Sequence, residues 1–512
     1  MRLRWVSLIA AKVVLLATVL SLIGCDSSAT LPPRTGPVWT PSGPDATQPL
    51  EATKNADWLR FNFDPARSGV NPNETSLTPT TVSGLHRLWS VTLPDVADST
   101  PILVHGLMFA DGSKRNVIYV TTKPGSLVAL DAATGAQLWA AATRGPKITN
   151  SSPVADPAHG FVYSYGLDGS LHKYHDTTGQ EVTSGGWPVL ITKMTQTEKE
   201  SSSLNLANGF IYVTTSGYVG DAPPYQGHLV AVNLADATTH VYNSLCSDKK
   251  HVLAQGECEA SDSGIWARAG AVVDPVTGFL FVSTGNGPFD ANTGGNNWGD
   301  TVLELSADGS RLIDSYTPPN FQQLEASDLD LSSNAPAILP KIAASKTPYL
   351  AVQGGKDGVL RLLDRQNLSG RGGPGHVGGE LQTVAAPGNC VVFTQPAVWT
   401  NPANGTLWVF VATGCGTIGY QVVTSGQGAT TLKVGWSMQQ PGTSPVIAGG
   451  MLFLASSGAI VALDPQTGKQ LWSSANAFAG GTIGGIHWES PIVLDGKIYC
   501  ADETGKLTAY GL

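Results

Sequence analysis

Residues Leu127–Trp139 read L-V-A-L-D-A-A-T-G-A-Q-L-W, and residues Ile460–Trp472 read I-V-A-L-D-P-Q-T-G-K-Q-L-W. Each copy begins with an alternating apolar run, which is typical of a strand. The Asp that follows favours a turn because its carboxylate accepts backbone N–H groups two or three residues on, and the Gly supplies the positive φ that such a turn needs. A second short strand then ends in Trp. Such a unit cannot bury its own apolar face, so the pattern predicts stacked copies of one sheet.

A second recurring piece opens with a small or polar residue followed by Pro, and continues as a strand, a turn and an aromatic strand. The copies with Pro start at Thr100-Pro101, Ser152-Pro153, Ala335-Pro336, Gln395-Pro396, Ser444-Pro445 and Ser490-Pro491. Two weaker copies, at 202–205 and 269–272, bring the starts to eight, with an average step of about 56 residues. The repeat predicts an all-β protein, an eight-bladed β-propeller of four-stranded antiparallel blades.

The two ends of the repeat region complement each other. His86–Leu93 matches the Trp-bearing last strand of a blade but precedes the first complete set, whereas residues 489–512 contain three strands and then stop. We therefore predict that His86–Leu93 pairs with Lys506–Tyr510 and completes the last blade, because this closes the ring and leaves no open edge. The predicted blades span approximately 99–145, 151–190, 202–246, 267–317, 333–370, 392–437, 443–475 and 489–512 with 86–93.

The N-terminal segment is predicted to lie outside the propeller. Arg2 and Arg4 precede an apolar core that is short for a membrane span, and Leu22-Ile23-Gly24-Cys25 resembles a lipobox. Residues 1–24 are interpreted as a lipoprotein signal peptide and Cys25 as the lipidated residue; the alternative is an ordinary signal peptide or anchor with a coincidental Cys. Residues 25–56, rich in Ser, Thr, Pro and Gly, predict a flexible tether, and 57–512 the propeller, with 57–78 lying against the ring.

Charge and cysteine usage agree with export to the periplasm or cell envelope. The net charge of the whole chain is −9, and removal of residues 1–24 leaves 27 basic and 39 acidic residues, or −12. This acidity argues against nucleic acid as a partner; the predicted membrane contact is the lipid on Cys25, and a monomer is expected.

Two disulfides are predicted, Cys246–Cys258 and Cys390–Cys415, which leaves Cys500 buried and inert.

The A-L-D-x-x-T-G-x-x-L-W signature resembles the tryptophan-docking repeat of the pyrroloquinoline-quinone (PQQ) β-propellers, over about residues 57–512. The resemblance implies that the Trp residues of the repeat, Trp89, Trp139 and Trp472, dock between blades. That family contains eight-bladed quinoprotein alcohol dehydrogenases, and its wider relatives include a cofactor-free scaffold lipoprotein of outer-membrane assembly. The resemblance thus implies a dehydrogenase that oxidises an alcohol or sugar with PQQ and Ca²⁺, or a non-catalytic propeller that binds protein or carbohydrate.

Three motifs resemble the dehydrogenase site. Asn286, in S-T-G-N-G-P, matches the T-G-N motif whose Asn is a calcium ligand; Asp328-Leu-Asp330 matches the acidic motif that carries the catalytic Asp; Lys356, in G-K-D-G, matches the motif whose Lys or Arg contacts the quinone. The separations, 42 residues from Asn286 to Asp328 and 28 from Asp328 to Lys356, also fit the family. The implied metal ligands are Asn286, Asp328 and Asp221, Asp328 is the implied catalytic residue, and Lys356, Trp266 and Asp330 are the implied cofactor contacts.

These residue types suit the implied chemistry. Ca²⁺ requires oxygen ligands, a carboxylate base takes the proton of the alcohol, and a cation stabilises the charge that develops on the quinone oxygens. The structural alternatives are that Asn286-Gly287 forms a turn, that Asp328 and Asp330 cap a loop, and that Lys356 lies in an exposed hairpin. Convergence of Asn286, Asp328, Lys356 and a third-blade carboxylate in one cavity would favour the enzyme, whereas a channel filled with apolar side chains would favour the scaffold.

Overall fold

The described strands form eight separate sheets arranged as the blades of a β-propeller, which confirms the predicted fold class. The computed structural model describes residues 56–218, 220–477 and 480–512. The predicted signal peptide 1–24, the predicted lipidation site Cys25 and nearly all of the predicted tether 25–56 lie outside those residues. Within the described ranges no helix has the length and apolar character needed to cross a membrane.

Each blade contains four antiparallel strands, numbered from first to fourth across the sheet. Blade 1 consists of Ile102–Met108, Lys114–Thr121, Ser126–Asp131 and Gln137–Ala142, and blade 2 of Val154–Asp156, Phe161–Tyr165, Ser170–His175 and Val189–Leu190. Blade 3 consists of Asn205–Ala207, Phe210–Gly217, His228–Asn233 and Thr239–Asn243, and blade 4 of Val272–Val273, Leu280–Ser283, Val302–Leu305 and Leu312–Tyr316. Blade 5 consists of Ala337–Ile338, Leu350–Gln353, Val359–Asp364 and Gln382–Ala385, and blade 6 of Ala397–Thr400, Leu407–Thr413, Gly416–Thr424 and Thr430–Met438. Blade 7 consists of Val446–Ala448, Met451–Ser456, Ala459–Leu463 and Gln470–Ser473, and blade 8 of Ile492–Leu494, Lys497–Asp502, Lys506–Gly511 and His86–Thr92.

The remaining elements are short. Two extra strands, Val70–Asn71 and Glu198–Glu200, pair with blades 7 and 3. The helical elements are single turns or little more: Val82–Gly84, Ala291–Thr293, Phe321–Ala326, Leu331–Ser333, Pro387–Asn389 and Ser474–Ala477.

Blade 5 differs from its predicted extent. Its fourth strand, Gln382–Ala385, pairs with Val359–Asp364 and lies beyond residue 370, where the predicted blade 333–370 ended. The strand is only four residues long, follows a Gly-rich loop and has no terminal Trp. The Trp that marks the outer strands of blades 1, 6, 7 and 8 is therefore missing as a signal in this strand.

The predicted closure of the ring is confirmed. His86–Thr92 pairs antiparallel with Lys506–Gly511, so that His86 lies opposite Gly511 and Thr92 opposite Lys506. Blade 8 therefore takes its outer strand from the beginning of the propeller and its other three strands from the end.

The repeat Trp residues dock on the turn of the next blade. The indole Nε1–H donates to the carbonyl of the residue after the turn Asp or its equivalent, in the pairs Trp89–Ala132 at 3.3 Å, Trp139–Asp176 at 3.0 Å and Trp436–Pro465 at 2.8 Å. Three residues after each acceptor a Gly with positive φ lies against the ring. Trp472 packs against Tyr510 instead, because blade 8 takes its fourth strand from elsewhere in the chain and no such turn joins its last two strands.

The docking contact explains why these turns require Gly. A Cβ at Gly468 (φ +72°) would lie 2.6 Å from Cε3 of Trp436, whereas a Cβ at Gly405 (φ +73°), which closes a turn of the same hydrogen-bonded type, would meet nothing within 4 Å. We expect Gly405→Ala to lower the free energy of unfolding by about 1 kcal/mol through backbone strain. Gly468→Ala should lose a further 1–3 kcal/mol, roughly, through overpacking. Urea denaturation of both variants measures the difference; equal losses would show that the ring contact has no energetic effect.

The N-terminal segment 58–71 runs along the first strands of the blades rather than against the outside of the ring. Its backbone or side chains form hydrogen bonds with Leu103 of blade 1, Ala155 of blade 2, Leu206 of blade 3, Val273 of blade 4, Val398 of blade 6, Ile447 of blade 7 and Val493 of blade 8. The first strand of a blade is an edge strand, and its free N–H and C=O groups need partners. One segment therefore ties seven blades together at the axis.

Two buried side chains of this segment fill the centre of the ring. Phe61 is fully buried and shares an apolar cluster with Ala335 and Ile338 of blade 5. Blade 5 is absent from the hydrogen bonds named above, so the segment contacts it through this apolar cluster. The guanidinium groups of Arg67 and Arg268 lie 5.7 and 5.6 Å from the Phe61 ring centroid, a cation–π distance. The axis is therefore filled with side chains at this level.

Both predicted disulfides are present. Cys246 bonds to Cys258, which closes the polar loop after blade 3, and Cys390 bonds to Cys415, which joins the start of blade 6 to one of its hairpins. Cys500 is free and buried among apolar residues, as expected.

A partly buried histidine of blade 1, His105, joins Asp57, just before the segment 58–71, to Asp495 of blade 8. His105 Nδ1 lies 3.0 Å from Asp57 Oδ1, and Nε2 contacts Asp495. Burial alone would lower the pKa of His105, but the hydrogen bonds and charges of Asp495 and Asp57 outweigh burial and raise it to about 9. Because the folded state binds this proton more tightly than the unfolded chain does, the stabilisation is complete below about pH 6.5 and disappears as the pH rises through 9.

We expect the free energy of unfolding to fall by about 1–3 kcal/mol between pH 6 and pH 9.5 through this group. Denaturation of the wild type and of His105→Gln at both pH values isolates the contribution, since other groups titrate equally in the two proteins. A pH dependence that is unchanged in His105→Gln would contradict the assignment.

Candidate active site

The residues predicted to form the site all lie on one face of the ring, which we call the upper face. It is the face at which the first strand of each blade begins and the second strand ends, because the two strands are antiparallel. Asp221 and Asn286 follow the second strands of blades 3 and 4, Asp328 and Asp330 precede the first strand of blade 5, and Lys356 follows its second strand. Trp266, the sixth predicted residue, precedes the first strand of blade 4, so the propeller presents all six at the same face.

Asn286 and Asp330 are joined directly. The backbone N–H of Asn286 donates to Asp330 Oδ1 at 2.8 Å, and its Nδ2 donates to the Leu324 carbonyl at 2.9 Å, which fixes the orientation of the amide. Oδ1 of Asn286 is consequently turned away from that carbonyl; it is buried and accepts no hydrogen bond from the described residues. A buried acceptor without a donor is rare and destabilising, so this oxygen is an available ligand atom.

Lys356 links both aspartates to an aromatic ring. Its Nζ lies 3.0 Å from Asp328 Oδ1, forms a close ion pair with Asp330, and lies 5.4 Å from the ring centroid of Trp266. Burial opposes protonation, but the charges of Asp330 and Asp328 prevail and raise the pKa of Lys356. The two aspartates differ in access, since the Asp328 side chain is 73% exposed and that of Asp330 only 12%.

Asp221, the predicted ligand from blade 3, lies at the exposed rim of this group. Its Oδ1 accepts a hydrogen bond from the Tyr225 hydroxyl at 3.1 Å. Partial loss of hydration raises the pKa of Asp221; the Tyr225 bond opposes the rise, and the charges of Asp330 and Asp328 add to it. Asp221 therefore lies within electrostatic reach of the other predicted residues.

Asp300 is a buried member of the site whose role the sequence did not reveal. Its Oδ1 accepts the Leu331 N–H at 2.9 Å, while Oδ2 has no partner among the described residues. Burial raises the pKa of Asp300 to about 8; the Leu331 N–H opposes the rise, and the charges of Asp330 and Glu325 increase it. In the sequence, Trp298-Gly-Asp300 looks like a turn that orders a loop. Only the burial of the Asp300 carboxyl, which the sequence does not show, marks it as part of the site.

Burial and the charges of neighbouring carboxylates thus raise the pKa values of Asp221 and Asp300, and the positive charges of Lys356 and Arg361 offset this only in part. A divalent cation among these carboxylates would relieve their repulsion, and the donors present, carboxylates and an amide oxygen, are those that hard cations prefer. The donor types present in blades 3 to 5 suit a hard cation such as Ca²⁺, and Asn286 Oδ1 is a ligand-type atom among them that has no hydrogen bond from the described residues.

Three aromatic side chains from different blades meet beside this group at the axis. The ring centroid of Trp266 lies 5.8 Å from that of Phe393 and 6.0 Å from that of Trp488, and those of Phe393 and Trp488 are 5.8 Å apart. Arg268 contacts the Trp488 ring at 5.3 Å and donates to its backbone carbonyl. This aromatic cluster separates the carboxylates of blades 3 to 5 from blades 6 to 8.

A second polar group on the upper face is an ion-pair network. Ligand-type atoms of Asp98, His487 and Glu503 lie within 4.8 Å of one another. Lys123 Nζ lies 2.7 Å from Glu503 Oε2 and 3.6 Å from Asp98 Oδ2. The lysine therefore supplies the positive charge that a metal ion would bring to this group.

Comparisons with known proteins agree with the architecture. The model of the PQQ_2 family, described as outer membrane protein assembly factor BamB, matches residues 83–314 and 402–511, which is more than half of the chain. No curated protein sequence matches significantly.

Several solved structures share the fold at low sequence identity. The quinohemoprotein alcohol dehydrogenase of Comamonas testosteroni has a TM-score of 0.62 and 16% identity, with 90% of this chain and 81% of that chain covered. The quinohemoprotein alcohol dehydrogenase ADHIIG of Pseudomonas putida HK5 gives 0.64 and 14%, with 92% and 82% covered. A europium-containing methanol dehydrogenase gives 0.63 and 15%, with 89% and 98% covered.

Proposed function

The chain belongs to the PQQ_2 family of repeat propellers, and from that premise we propose that it is a quinoprotein-type oxidoreductase that oxidises an alcohol or a sugar. The observation that supports this most directly is the junction of Asn286, Asp330, Asp328 and Lys356 on the upper face. These residues come from two blades and are up to 70 positions apart in the sequence.

The proposed cofactors are PQQ and Ca²⁺. Asn286 Oδ1 and the Asp330 carboxylate would hold the cation, with Asp221 at the rim as a further oxygen donor. Trp266 would supply an apolar face for the quinone and Lys356 a positive charge next to that face. When bound, the quinone would supply the two-electron acceptor that none of the twenty side chains provides.

Within this proposal Asp328 and Asp330 have different tasks. The exposed Asp328 carboxylate is accessible to a substrate hydroxyl and would accept its proton at Oδ2, while Oδ1 stays bonded to Lys356 at 3.0 Å. The buried Asp330 is held by the Asn286 N–H and Lys356, so it suits cation binding rather than proton exchange with solvent. Lys356 orients both carboxylates.

Reconstitution of the purified protein with PQQ and Ca²⁺ tests the proposal. We expect quinone absorbance that survives gel filtration and a rise in melting temperature, because a ligand that binds the folded state stabilises it. Asp330→Asn should lose both signals, whereas Asp95→Asn, at an exposed position outside the site, should retain them. Failure of the wild type to bind PQQ under these conditions would refute the proposal.

A non-catalytic propeller that binds protein or carbohydrate partners at the envelope is the second candidate. The aromatic cluster of Trp266, Phe393 and Trp488 supports it, because these rings and Arg268 fill part of the axis. A protein that captures a partner without binding PQQ would favour this candidate.

Both candidates share a proposed location. We propose export and anchoring through lipidated Cys25, on the basis of the lipobox-like sequence. Membrane fractionation of Cys25→Ala tests this, since an unchanged membrane association would contradict it.

A further inference from the structure

A cavity of about 370 Å³ lies on the upper face where blades 6, 7 and 8 meet. It lies on the far side of the aromatic cluster from Asn286 and Asp330, and Phe393 and Trp488 form part of its wall. Its size falls in the lower part of the range for small-molecule sites. The cavity therefore has room for one small ligand.

The polar part of the lining is rich in hydroxyl groups. Seven serine or threonine residues contribute to it. Ser444 Oγ accepts the Gln395 N–H at 2.9 Å and Ser456 Oγ accepts from Gln440 at 3.3 Å, which leaves both hydroxyl protons to donate. Such a wall offers several donors and acceptors without carrying charge.

Glu489 breaks the repeat at this point. Two residues before the Pro of the repeat, the other five Pro-containing copies have Ser99, Ser151, Asn334, Thr394 and Thr443. Thr394, for example, donates to the second strand of its own blade at 2.6 Å. A carboxyl at the corresponding position of blade 8 is a departure from the structural pattern, and such departures mark functional positions.

The carboxyl of Glu489 has one atom without a partner. Oε2 accepts the His487 N–H at 2.6 Å, while Oε1 is buried and has no hydrogen bond among the described residues. The residue is 1% exposed and lines the cavity. Burial raises the pKa of Glu489 to about 8; the His487 N–H opposes the rise, and the charge of Asp98 adds to it. Burial therefore favours the protonated carboxyl, which can donate a hydrogen bond.

Two aromatic rings form a corner in the wall. Phe393 is 38% exposed, and its ring stands at 82° to that of Trp488. The C–H faces of a sugar ring pack well on such surfaces, because both are apolar and flat. Aromatic faces combined with hydroxyl and carboxyl groups are suited to a polyhydroxylated ring.

The charges in the lining are already engaged. Both Nη atoms of Arg268 donate to backbone carbonyls, of Asn150 at 3.0 Å and of Trp488. His487 Nδ1 lies 2.8 Å from Asp98. An ionic ligand would have to compete with these bonds, whereas an uncharged ligand would not.

We propose that this cavity binds a neutral sugar unit, with Phe393 and Trp488 against its apolar faces and Glu489 and the hydroxyl wall bonded to its hydroxyl groups. The source of the sugar is a free monosaccharide or the end of a glycan chain, since both present the same ring. The inference does not depend on the quinoprotein proposal, because none of the proposed cation ligands lines the cavity.

Calorimetric titration of the purified full chain, without PQQ or Ca²⁺, tests the proposal. The probes are D-glucose, D-galactose, D-mannose and N-acetyl-D-glucosamine, with D-glucuronate as the anionic comparison. We expect saturable binding of at least one neutral sugar and weaker binding of glucuronate. Saturation by none of the neutral sugars, or preference for glucuronate, would overturn the proposal. Tighter binding of maltotriose or chitotriose than of the monosaccharide would assign the cavity to a chain end, and equal or weaker binding to a free sugar.

Variants locate the binding. We expect Phe393→Ala and Glu489→Leu each to weaken it about tenfold. Glu489→Gln, which keeps a donor and the shape, should weaken it less and guards against misfolding of the leucine variant. Phe109→Ala removes a partly exposed Phe from blade 1, far from the cavity lining, and should leave binding unchanged. Wild-type affinity in both Phe393→Ala and Glu489→Leu would place the sugar elsewhere and overturn the proposal. Because no quinone is present, this outcome is independent of the reconstitution result.

Discussion

Replacing Arg67 with alanine is expected to lower the free energy of unfolding by about 4 kcal/mol or more. The side chain is fully buried, and its guanidinium donates to four backbone carbonyls, those of Phe61 at 2.6 Å, Leu204 at 2.9 Å, and Ser203 and Ala269 at 3.0 Å. The variant leaves four acceptors buried without donors, and each such group is destabilising by about 1–3 kcal/mol.

Urea denaturation followed by Trp fluorescence measures this loss. Arg311→Ala, at an exposed position of blade 4, is the matched control and should change stability by less than about 0.5 kcal/mol. Arg67→Lys should recover only part of the loss, because an ammonium group cannot reproduce the planar fork of donors. If Arg67→Ala is as stable as Arg311→Ala, the N-terminal segment does not hold the ring together through these hydrogen bonds.

The second large effect concerns turnover. In protein reconstituted with PQQ and Ca²⁺, Asp328→Asn is expected to lower kcat by about 10²–10⁴-fold, the range typical for loss of a general base. Quinone binding should persist, because the buried Asp330 and Asn286, rather than the exposed Asp328, are the proposed cation ligands.

The comparison with Asp330→Asn makes this prediction specific. That variant should lose cofactor binding and thereby activity, whereas Asp328→Asn should lose activity alone. Asp95→Asn controls for the removal of one exposed carboxylate. An undiminished kcat in Asp328→Asn would show that Asp328 is not the base, and would not contradict the proposed cation site.

The repeat was readable because its signals are local. The turn Asp, the positive-φ Gly and the alternating apolar strand act within a dozen residues, and each predicts the same hairpin wherever it occurs. Closure through His86–Thr92 followed from the complementary ends of the pattern and is confirmed. The fourth strand of blade 5 escaped because Gln382–Ala385 has none of these signals.

The candidate site was readable in part. Asn286, Asp328, Asp330 and Lys356 stood out by motif and spacing, and the structure brings them together. Asp300 and Glu489 were not assigned to a site, since burial and the absence of a partner mark them and neither is visible in a sequence. The repeat alignment did contain one signal, the carboxyl of Glu489 where five other copies have a hydroxyl or an amide.

The amino-acid sequence alone determined the strand order within a blade, the number of blades and the closure of the ring through His86–Thr92. Strand periodicity and turn chemistry depend on neighbouring residues, and for this reason the sequence reveals them. The tertiary structure alone decided the path of residues 58–71, the packing of aromatic rings at the axis and the position of the hydroxyl-lined cavity on the upper face, separate from Asn286, Asp330 and Lys356. Those features depend on backbone carbonyls and side chains from blades far apart in the chain, such as the bonds from Arg67 to Ser203 and Ala269. Every residue has a backbone carbonyl, so no sequence pattern can predict which carbonyl a distant arginine side chain will bond.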